Sequence, residues 1–118
     1  MNNKDFALLA ARVMDGKKAQ DIVVIDIQEK SSFADYLVIA SGGSERQVLT
    51  LADEVEEQLA KEGLLVRNIE GKNGSGWILM DFGDVIVNVF TKEVREKYNI
   101  EKVWGDSSFL DLEDEQEK

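Results

Sequence analysis

Cysteine, histidine and proline are all absent from this chain of 118 residues. Without cysteine there is no thiolate nucleophile, and without histidine no imidazole base. Together the two absences also remove the usual ligands of zinc, haem and iron–sulfur centres. Any chemistry would have to run on carboxylates, Lys, Tyr or Ser, with magnesium as the metal to consider. A run of about 18 apolar residues, the length that spans a bilayer, is missing too. The N-terminal stretch MNNKDFALLAARVMDGKK has an acid inside its apolar part and no small-residue cleavage pattern, so a cytoplasmic location is expected. Basic residues are scarce: 14 Lys and Arg face 24 Asp and Glu, a formal charge of -10. That balance is wrong for holding nucleic acid by phosphate neutralisation and suits either a basic protein partner or simple solubility.

What the chain does have is apolar sequence in short, patterned pieces. Residues 5–15, DFALLAARVMD, carry Phe6, Leu9, Ala10 and Val13 at helical spacing, with Asn2 or Asn3 to cap the start and Gly16 to stop it. DIVVIDI (21–27) and YLVIAS (36–41) read as buried strands. Ser44 followed by Gln47 is a capping box, after which Val48, Leu51, Ala52, Val55 and Leu59 line one side of a long helix that Gly63 ends. LLVRNI (64–69) predicts a third strand and GKNGSG (71–76) a turn. WILMDFGDVIVNVF then folds back on itself at Phe82-Gly83-Asp84. Thr91 can cap KEVREKY, and Asn99 one more turn, IEKVW. With no repeat and no linker-like composition shift, residues 1–105 form one domain of the α/β class, a five-stranded mixed sheet with helices packed on it. Residues 106–118 hold six acids against one lysine, lack periodicity and read as a disordered acidic tail.

The last hairpin is unusual. Trp77, Leu79, Val85, Val87 and Val89 fall on odd positions and Ile78, Met80, Phe82, Ile86 and Phe90 on even ones, so neither face is written for water. Both faces need a cover, from this chain's helices or from another molecule. Two pieces invite a catalytic reading. Gly42-Gly43-Ser44, between a strand and a helix N-terminus, could hold a phosphate and resembles the glycine-serine motif of nucleotidyltransferases, but no strand-borne pair of acids follows it. Asp26, Asp81 and Asp84 flank apolar runs and could be a carboxylate cluster, or could accept hydrogen bonds from turn amides. GKNGSG lacks the spacing of a phosphate loop. Arg95, Tyr98 and Trp104 are of the types that anchor protein interfaces as well as helical cores.

ADYLVIASGGSERQV (34–48) and GWILMDFGDVIVNVF, followed by Arg95, Tyr98 and Trp104-Gly105-Asp106, resemble the ribosomal silencing factor family, RsfS, over nearly the whole folded part. The resemblance implies a nucleotidyltransferase-like fold without catalytic activity or cofactor. It implies binding to the large ribosomal subunit through ribosomal protein fourteen, a basic protein at the subunit interface, and a block on joining of the small subunit when nutrients are scarce. One hairpin face would pack on the chain's own helices, and the exposed part of the other would meet the ribosomal protein or, in the free state, a second copy. The contact residues expected are Trp77, Leu79, Asp81, Phe82, Asn88, Arg95, Tyr98 and Trp104. Asn88 departs from the family pattern, where histidine is usual; it keeps hydrogen bonding and loses titration near neutral pH. The rival readings are a magnesium-dependent nucleotidyltransferase using residues 42–44 with Asp26 and Asp81, and a permanent structural homodimer.

Overall fold

The structure, a computed structural model, describes residues 1–71 and 75–111. The middle of the expected 71–76 turn and tail residues 112–118 lie outside the described residues. Helix α1 (Asn3–Gly16) starts in a full capping box: Asn2 accepts from the Asp5 amide at 2.8 Å and Asp5 accepts from the Asn2 amide at 3.2 Å. Its buried side is Ala7, Leu8, Ala10, Ala11 and Met14, with Phe6, Leu9 and Val13 only partly covered. The face is thus rotated from the one that the large residues alone suggested, because three alanines let the helix approach its neighbours closely.

Strands β1 (Gln20–Asp26) and β2 (Tyr36–Gly42) follow, then helix α2 (Glu45–Lys61). Ser44 caps α2 by accepting from the Gln47 amide, while the Gln47 side chain accepts from Gly43 rather than from the cap residue itself. The buried face of α2 is Val48, Leu51, Ala52, Val55 and Leu59, as its periodicity predicts. Strand β3 is shorter than expected, Asn68–Glu70, because the start of LLVRNI closes the helix: the Leu64 amide donates to the Leu59 carbonyl. Strands β4 (Trp77–Asp81) and β5 (Val85–Thr91) make the hairpin, helix α3 (Lys92–Tyr98) and a 3₁₀ turn (Ile100–Trp104) follow, and β6 (Ser108–Leu110) ends the described chain.

The sheet is mixed, in the order β3-β4-β5-β2-β1-β6, parallel only between β2 and β5. It has six strands where five were expected. Residues 108–110, read as part of the aperiodic tail, add the sixth by pairing antiparallel with β1, Phe109 opposite Ile25 and Leu110 opposite Val24. Three residues are too few to show a period, so only the pairing with an apolar neighbour on each face reveals them.

The hairpin register resolves the two-sided pattern. The turn at Gly83, where φ is +99°, offsets the strands so that Trp77 faces Phe90 and Leu79 faces Asn88. Odd positions of β4 therefore share a face with even positions of β5, a swap of parity that counting straight through the turn hides. Ile78, Met80, Val85, Val87 and Val89 join Val24, Val38 and Ala40 on one face, sealed by α1 and α2. Ile25, Leu37, Ile39, Ile86, Phe90 and Trp77 occupy the other, which α3 and the 3₁₀ turn cover only in part, through Val94, Ile100 and Trp104. Among the described residues no helix is long and apolar enough to cross a membrane.

Candidate functional site

The incompletely covered face ends, on the β3–β4 side, in a shallow groove lined by Glu70, Gly71, Ser75, Trp77, Leu79 and Tyr98. Its position follows from the local folding just described. Trp77 and Leu79 point to this face because β4 alternates, and Glu70 joins them because it pairs with Leu79 across β3–β4. Tyr98 arrives from the last turn of α3, which the left-handed Asn99 (φ 44°) terminates. The Trp77 indole stacks on Phe90 with centroids 5.0 Å apart and lies 5.2 Å from the Tyr98 ring. Tyr98 remains 52% exposed, with the Lys97 ammonium 5.7 Å from its ring centroid. Gly71 is constrained at this edge: its φ is +86°, and a side chain there would collide with the Trp77 carbonyl. The groove is an aromatic and aliphatic surface with an acid at its rim, suited to contact rather than to bond-making.

Of the eight residues expected at a contact surface, the structure brings together Trp77, Leu79 and Tyr98. Asn88 lies beneath them, 2% exposed, accepting the Trp77 indole N–H through Oδ1 at 2.9 Å. Phe82 is also 2% exposed; it packs in the core under α1 and α2, on the opposite face, and is corrected from contact residue to core residue. Asp81 sits at the turn, where its carboxylate accepts from the Gly83 amide at 2.7 Å. Trp104 is elsewhere on the face, edge-on to Phe33 at 6.3 Å. Phe90, Glu70 and Phe33 were missed. A reversal centred on Gly83 would put Val89 opposite Trp77, and only the offset register found in the structure brings Phe90 there.

Arg95 is corrected as well, because it points inward. Only 8% exposed, it binds Glu101 bidentately, Nε to Oε1 and Nη2 to Oε2 each at 2.9 Å, and donates through Nη1 to Ser41 Oγ at 2.9 Å. It fastens α3 and the 3₁₀ turn to the end of β2. Its hydrogen bonds hold the Glu101 carboxyl below the usual glutamate value, against the opposing effect of partial burial, and its charge adds to the lowering. A depressed folded-state value contributes stability that is present above the unfolded value, about 4.3, and is lost as pH falls through the folded one. In thermal unfolding scans, the stability advantage of the wild type over Glu101→Gln is therefore expected to shrink as pH is lowered below about 4.3; an advantage that grew on acidification would contradict this pairing.

The residues of the nucleotidyltransferase reading do not converge. Asp26 pairs with Tyr36 at one end of β2, whereas residues 42–44 lie at the other end of that strand. Asp81 is at the same end as Asp26 but with β5 and β2 between their strands, about 14 Å of sheet. Asp26 is itself engaged, accepting from the Gln28 amide at 3.1 Å. In the turn, the Gly43 amide is taken by Gln47. A magnesium ion bridging these carboxylates to a phosphate held at residues 42–44 does not fit this geometry.

The RsfS family model, described as ribosomal silencing factor during starvation, matches residues 1–118. The chain is 42% identical to the ribosomal silencing factor RsfS of Bacillus subtilis over 113 residues, 96% of either chain. It is 33% identical over 98 residues to the mouse mitochondrial assembly of ribosomal large subunit protein 1, covering 80% of this chain and 43% of that one. A crystal structure of a Chromobacterium violaceum protein superposes with a TM-score of 0.86 at 34% identity, covering 89% of this chain and 88% of the other. Family match, relatives and fold agree over most of the chain: it belongs to the RsfS family of ribosomal silencing factors.

Proposed function

We propose that this chain represses translation by docking on the large ribosomal subunit, through the basic ribosomal protein fourteen, and excluding the small subunit by its bulk. The observation that carries the reading is the groove: Trp77, Leu79 and half-exposed Tyr98 lie on the one sheet face that the chain's own helices leave partly open. The formal charge of -10 supports a basic partner by raising the association rate, while the aromatic anchors set dissociation. The name of the mouse relative, which refers to the ribosomal large subunit, supports that subunit as the target. No catalytic step is required, and the action is cytoplasmic and tied to nutrient limitation. In the free state a second copy covers the same groove.

The test is subunit joining. Purified chain, added to separated subunits before magnesium is raised, is expected to reduce the yield of joined ribosomes in gradients, whereas chain added after joining leaves them intact. An undiminished yield at saturating chain would refute steric exclusion. The acidic residues at 112–118 are not part of the proposed contact. Removing them leaves β6 in place and is expected to keep large-subunit affinity within about tenfold; a larger loss, read by co-sedimentation, would put them in the interface.

A further inference from the structure

We infer that Asn88 is the positioning residue of the docking groove, acting on the partner only through Trp77. The inference rests on the docking reading above and deepens it by assigning a role to a buried side chain that cannot itself touch a partner. Asn88 is on β5, between Leu79 of β4 and Ile39 of β2 in the ladder, on a face otherwise built of Ile25, Leu37, Ile39, Ile86 and Phe90. A polar side chain 2% exposed in such surroundings is costly unless it is hydrogen-bonded. Its Oδ1 meets the indole N–H of Trp77, two pairs along the hairpin, at 2.9 Å.

That bond fixes what ring stacking leaves free. A ring lying on Phe90 can slide or turn in its plane at little cost, since stacking is tolerant of offset. A hydrogen bond from the indole N–H to a buried, strand-borne acceptor removes that freedom and sets which edge of Trp77 is presented beside Tyr98. An anchor held in its bound orientation before contact loses less rotational freedom on binding. Aspartate at this position would retain an acceptor; leucine of similar size would not.

The experiment combines a spectroscopic readout with a double-mutant cycle. In ¹⁵N spectra of the free protein the Trp77 Nε1–H is expected to be protected from solvent exchange, to lose at least about tenfold of that protection in Asn88→Leu, and to recover most of it in Asn88→Asp. Large-subunit binding is expected to weaken about tenfold in Asn88→Leu. In a Trp77→Phe background, which has no N–H to hold, Asn88→Leu is expected to have no further effect beyond about twofold. Protection unchanged in Asn88→Leu, or losses that multiply fully in the double variant, would overturn the inference and leave Asn88 a packing residue. If the wild type failed to bind large subunits at all, the docking reading would fall and the inference with it. Wild-type binding with additive losses would remove the inference alone.

Discussion

Trp77→Ala is expected to weaken binding to the large ribosomal subunit by about a hundredfold or more, with circular dichroism unchanged. The size follows from what the residue does in the structure. Its indole stacks on Phe90, lies against Tyr98, lines the groove beside Leu79 and is tethered by Asn88. Alanine removes the largest apolar surface of the groove and leaves the Asn88 carbonyl without its donor. Truncated central aromatic anchors typically cost about 2–4 kcal/mol of binding. Because Trp77 is partly buried, some of the effect will be loss of stability, so Tyr98→Ala is the cleaner companion. Tyr98 is mostly outside the core, and its removal is expected to cost at least about tenfold in affinity with little change in Tm. Wild-type affinity in both variants would mean that the partner docks elsewhere.

Arg95→Leu is expected to damage the fold, costing about 3 kcal/mol and lowering Tm by about 10 °C. The side chain is nearly buried and makes three charged or polar hydrogen bonds, to both Glu101 oxygens and to Ser41. Leucine would leave Glu101, 27% exposed, without its cation and Ser41 Oγ without its donor. It would also release the link that holds α3, and with it Tyr98, against the end of β2. Binding should therefore fall together with stability, in contrast to Tyr98→Ala, where binding falls alone. Differential scanning calorimetry of the two variants separates the cases. An Arg95→Leu protein that melts within about 2 °C of wild type would contradict the fastening role.

Much of this fold could be read from local sequence, because it is written in local signals. The caps at Asn2, Ser44 and Thr91 and the five-residue apolar face of α2 each lie within a few residues of one another, and each is found as expected. What could not be read depends on distant partners. Whether Arg95 faces out or in is decided by Ser41 and Glu101, the first on a different element 54 positions away. Phe90 joins Trp77 on the groove face only through the parity swap at Gly83, whereas Phe82 is kept off that face by plain alternation along β4, with Ile78 and Met80. Residues 108–110 carry no pattern of their own and become a strand because β1 offers an open edge. The candidate site was therefore legible in its residue types and blurred in its geometry: Trp77, Leu79 and Tyr98 belong together, Asn88 supports them from below, and Asp81 and Trp104 serve a turn and a separate aromatic contact.

Co-sedimentation of purified chain with isolated large subunits, isolated small subunits and joined ribosomes tests the central claim most directly. Wild type should travel with large subunits alone, at physiological salt and at close to one copy per subunit, and Tyr98→Ala should be left behind. Retention on small subunits or on joined ribosomes, or equal retention of wild type and Tyr98→Ala, would contradict docking through the groove.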